Sequence, residues 1–152
     1  MRAAFYLAVL PAALFIAAST DLIKREIPIW LFTALSAFFL IALRKTLCED
    51  NLAGFLVMGA AFLLLAITGK AGGGDILMFS AIGGFLGLSA LPAYLILLSA
   101  VSLASFPFII RKLKREGRLK DLKTLELPLA PYAAAAYGLL IAYVYFTGKM
   151  ML

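Results

Sequence analysis

"ILMFSAIGGFLGLSALPAYLILLSAVSLASFPFII", Ile76 to Ile110, runs for 35 residues without a charge. As one helix it would rise roughly 52 Å at about 1.5 Å per residue, against a hydrocarbon core of about 30 Å. One crossing cannot hold that length, so the run is expected to fold back on itself. The corner falls at Gly87-Leu88-Ser89-Ala90-Leu91-Pro92, where glycine and proline interrupt a helix. Residues 3–20, 27–43, 51–69 and 127–148 are also uncharged, and each suits one crossing of about 17–25 residues. The sequence therefore predicts an all-α, polytopic membrane protein: a single domain, 1–152, of six transmembrane helices.

Composition agrees with that class. Hydrophobic residues make up 64% of the 152, and the mean hydropathy is +1.04, whereas a soluble domain is about half apolar. Basic residues collect in cytoplasmic loops. With six spans, one side gathers Lys24, Arg25, Lys70 and the seven bases from Arg111 to Lys123, ten in all; the other gathers Arg2, Arg44, Lys45 and Lys149. The side with ten is assigned to the cytoplasm, with both termini outside. Met1-Arg2 and the apolar run to Ala17-Ala18-Ser19 also resemble a cleavable signal. That run is longer than a usual signal core, however, and charges follow it directly, as they follow a permanent span. The basic stretch "RKLKREGRLKDLKTLE" (Arg111 to Glu126) reads as a topology anchor or as a short helix on an anionic lipid surface. No aromatic or groove-reading side chain is interleaved with its charges, so nucleic acid is not an expected partner.

The chain also lacks whole classes of chemistry. There is no histidine, and Cys48 is the only cysteine. Ser-His and Cys-His nucleophile pairs, an intramolecular disulfide and the usual zinc sets are excluded. No metal and no cofactor are expected. Of eight acidic residues, six lie where water is easy to reach. Asp21 closes the first span and Asp75 opens the fourth, both at the cytoplasmic side. An ionisable group at a span's edge is a candidate functional site. Two neighbouring carboxyls share a proton and titrate as a pair, so one can activate water while the other hydrogen-bonds a scissile carbonyl. Gly72, Gly73 and Gly74 precede Asp75. As poor helix formers they are expected to leave an irregular, unshielded backbone along which an extended substrate can lie. The alternative reading stands beside it: a flexible turn, with Asp75 capping a helix N-terminus.

"DLIKREIP" (Asp21 to Pro28) and "GGGD" (Gly72 to Asp75) resemble the two signature motifs of the type IV prepilin peptidases, intramembrane aspartyl proteases of the GxGD class. Gly83 and Gly87 match the family's downstream glycines, a spacing that allows close helix contact. "LPLAPYAAAAYGLL" (Leu127 to Leu140) is similar to its last span. The resemblance implies a catalytic pair, Asp21 and Asp75, with Gly72, Gly73, Gly74, Lys24, Arg25 and Pro28 along the substrate path. It implies cleavage of the basic leader from prepilins or pseudopilins at the cytoplasmic face of the cell membrane. Ile29 and Leu77 depart from the family's frequent Asn and Lys, and the paired CxxC extension of the methylating members is missing. A minimal peptidase is thus implied. Lys24 and Arg25 also read simply as topology signals, Pro28 as a residue of a helix's first turn, and Lys70 as a side chain reaching the interface. The rival class is a non-enzymatic membrane protein: a small transporter or channel subunit whose aspartates carry cations, or a pilus-assembly scaffold.

Overall fold

The computed structural model describes residues 2–24, 26–43, 49–69, 71–115 and 129–147. They form five helices: α1 (Arg2–Lys24), α2 (Ile29–Leu43), α3 (Glu49–Ile67), α4 (Gly73–Arg115) and α5 (Leu129–Thr147), with no strand among the described residues. Among the described residues, three stretches are long and apolar enough to cross a membrane: Glu49–Ile67, Gly73–Arg111 and Leu129–Thr147. The described residues thus supply three such stretches against the six expected spans and do not by themselves support the count of six. The described part of α2 is 15 residues, below the about 17–25 of one crossing. The long uncharged run also stays helical on both sides of a single interruption. Arg25, Lys70 and the basic stretch beyond Arg115 lie outside the described residues.

That interruption falls at the first residue of the expected corner. Gly87 adopts φ 75 and ψ 164, a left-handed backbone that side chains with a Cβ avoid. It divides α4 into limbs of residues 73–86 and 88–115. The second limb begins on a cap supplied by α3: Asp50 accepts hydrogen bonds from the Ser89 amide at 3.2 Å and the Ser89 hydroxyl at 2.9 Å. A carboxylate there satisfies an amide that has no partner within its own helix. Asn51 donates to the Gly84 carbonyl at 2.8 Å across the same joint.

From this joint α3 and the first limb of α4 run antiparallel. A Cβ added to Gly83 would strike the Gly54 carbonyl oxygen and stand 2.8 Å from Met58 Cγ. Further along, Phe62 stacks on Phe79 with ring centroids 3.8 Å apart. Small residues let two backbones approach closely, which is how apolar helices associate where the surrounding lipid is equally apolar. On the other side α5 packs against α1 and against α4. Ala130, Ala133, Ala136, Tyr137 and Leu140 are its buried residues, one stripe at helical spacing. The Tyr94 hydroxyl, on the second limb, donates to the Ala133 carbonyl at 3.4 Å.

One end of the bundle gathers several termini. Ile27, just before α2, lies against Gly74, and Ile29 approaches Gly73. The end of α1 meets the start of α5. The short turn from α3 to α4 closes the same end, through Gly69 at φ 73.

Candidate functional site

Both singled-out aspartates sit at this end, and α1 shows why Asp21 is buried. Leu10, Leu14 and Ala17 form a buried stripe at steps of four and three residues, and Asp21 is the next position on that face. It is 6% exposed. A carboxylate so placed needs a hydrogen-bond donor, and the chain provides one 109 residues away: the Ala130 amide donates to Asp21 Oδ2 at 3.1 Å.

Asp75 lies in the first turn of α4 and is partly buried. Its Oδ2 accepts the Gly72 amide at 2.8 Å, while the amides of Asp75 and Ile76 donate to the Gly72 carbonyl at 3.1 and 3.3 Å. This is one half of a capping box, in which the third helical residue reaches back to the amide of the cap residue. The capping geometry anticipated as the alternative reading is thus present, and it engages Oδ2 only. Burial and the Gly72 amide act on Asp75 first, and the charge of Asp21 reaches it as the weakest of the three influences. Two carboxyls at one end of a bundle are groups that can do acid–base chemistry on water where they meet.

The glycines differ from their expected role. Gly73 and Gly74 are helical, the first residues of α4, and only Gly72 stands outside it. Glycine's propensity cost is tolerated here because first-turn amides have no intrahelical partner to lose. Gly74 is required for a different reason. A Cβ there would come 2.8 Å from Ile27 Cβ and 2.9 Å from the Ile27 carbonyl oxygen, so its place is filled by the segment entering α2. Pro28 directly precedes α2 and its carbonyl accepts the Leu31 amide at 3.1 Å. Lys24 closes α1 with an exposed side chain and takes no part in the hydrogen bonds around either aspartate.

Among the described residues no three His, Cys, Asp or Glu side chains group as metal ligands do. One contributor had not been singled out from the sequence, the Ala130 amide, whereas Ile27 belongs to the quoted "DLIKREIP" motif. Pro131 beside Ala130 marks a helix start, which was the available signal for that amide.

Residues 8–109 match the family described as the type IV leader peptidase family. No curated protein and no solved structure matches the chain. The matched span contains both aspartates and stops before α5.

Proposed function

The chain belongs to the type IV leader peptidase family, and from that premise we propose that it is an aspartic-type endopeptidase of the cell membrane that removes the basic leader from prepilin-like proteins. The observation that carries this reading is the placement of two carboxylates at one end of the bundle, Asp21 held by the Ala130 amide and Asp75 by the Gly72 amide. One carboxylate takes a proton from water as the water oxygen attacks the scissile carbonyl carbon. The other gives its proton to the carbonyl oxygen. When the tetrahedral intermediate collapses, the C–N bond breaks and the nitrogen leaves with a proton returned from the pair. The net change is one water consumed and one peptide bond lost.

The site end faces the cytoplasm in this reading, because Lys24 closes α1 there, Arg25 follows it and Lys70 precedes the glycines in sequence, and basic loops stay inside. The chain turns back at Gly87, giving six membrane-embedded segments with both termini outside. The Tyr94 bond to the first turns of α5 supports that return. A transport function wants its charge near the bilayer midplane, whereas these carboxylates are terminal.

The test uses the full chain in lipid vesicles with a prepilin-type substrate carrying a basic leader. One cut at the leader boundary, seen as a gel shift and placed by sequencing the new N-terminus, is the expected result. No cleavage, or cleavage abolished by chelators, would contradict the reading.

A further inference from the structure

α5 lies beyond the family match, yet it begins against one of the proposed catalytic carboxylates. Ala130 is fully buried, and its amide is the donor that Asp21 Oδ2 receives. The first amides of a helix have no acceptor within it, so this N–H is free for Asp21 at no cost to α5. A helix N-terminus also favours a negative charge beside it. Pro131 follows and has no amide to offer, which leaves Ala130 as a specific donor. The bond takes Oδ2 and leaves Oδ1 outside it.

We propose that the Ala130 backbone amide is a positioning group for catalysis: it fixes the rotamer of Asp21 and so makes α5 part of the working site. This rests on the assignment of Asp21 above. Without the bond, the carboxylate at the end of α1 keeps its packing but loses its aim. Misplacement of a reacting group by about 1 Å costs on the order of a hundredfold in rate.

The experiment replaces Ala130 with its α-hydroxy analogue in the full chain, by nonsense suppression, so that an ester oxygen stands where the N–H was. In lipid vesicles kcat for leader cleavage is expected to fall by about ten- to a hundredfold, with KM unchanged. Tyr94→Phe deletes the other tie on the same part of α5 and is expected to leave kcat as in the parent. Amide exchange at Ala130, read by NMR without any catalysis, is expected to accelerate in Asp21→Ala. A kcat within about twofold of the parent in the ester protein overturns the proposal, whatever the exchange shows. So does an equal loss of kcat in Tyr94→Phe, which would reduce the effect to packing. Full cleavage by Asp21→Asn would instead fault the assignment of Asp21, a separable failure.

Discussion

Asp21→Asn and Asp75→Asn are each expected to lower leader cleavage by about 10²–10⁴-fold, the contribution of one positioned acid–base group. Asparagine is close to isosteric and keeps an oxygen that can accept the Ala130 amide at position 21 or the Gly72 amide at position 75. The helix ends therefore stay capped and the fold is retained. In the proposed mechanism the pair shares a proton, and either variant removes it. A carboxylate that served only as a cap would behave otherwise, since the amide preserves the cap and activity with it. The gel-shift assay separates the two outcomes, with the thermal midpoint confirming that each variant is folded.

Gly83→Val is expected to destabilise the protein by about 3 kcal/mol, the upper part of the range for overpacking. The obstacle is the Gly54 carbonyl, which is backbone and cannot swing aside as a side chain can, and Met58 blocks the remaining direction. α3 must move away from the first limb of α4, and the Asp50 cap on Ser89 goes with it. Gly138→Ala provides the contrast. A Cβ there meets nothing within 4 Å, and alanine is favoured over glycine inside a helix by about 0.5–1 kcal/mol. Thermal unfolding in detergent should show a large fall for the first variant and none for the second.

The break in α4 was legible because length is a hard constraint: 35 uncharged residues cannot cross a bilayer as one straight helix. The extent of the break was not. Whether a glycine ends a helix or bends it at one residue depends on what meets it, and here Asp50, from 39 positions earlier, restarts the helix at Ser89. Asp21 and Asp75 stood out by economy of charge, since a chain this apolar has little reason to keep a carboxylate at a span's edge. The glycines before Asp75 misled for a reason of position. Propensity penalises glycine inside a helix, but Gly73 and Gly74 stand in the first turn, where close approach by Ile27 is the governing demand. The Ala130 amide escaped notice because backbone donors leave no mark in a side-chain pattern. Only the proline beside it points to the helix start.

The proximity of the two carboxylates is open to direct measurement. Cysteines replace Asp21 and Asp75 in a Cys48→Ser background, which leaves no other thiol. The protein in lipid vesicles is treated with a short bifunctional thiol reagent, and its intact mass is recorded. One linker joining both thiols is the expected result. Two half-reacted linkers on the same chain, with no bridge at any reagent concentration, would show two accessible carboxylate positions that never meet and would contradict a shared proton.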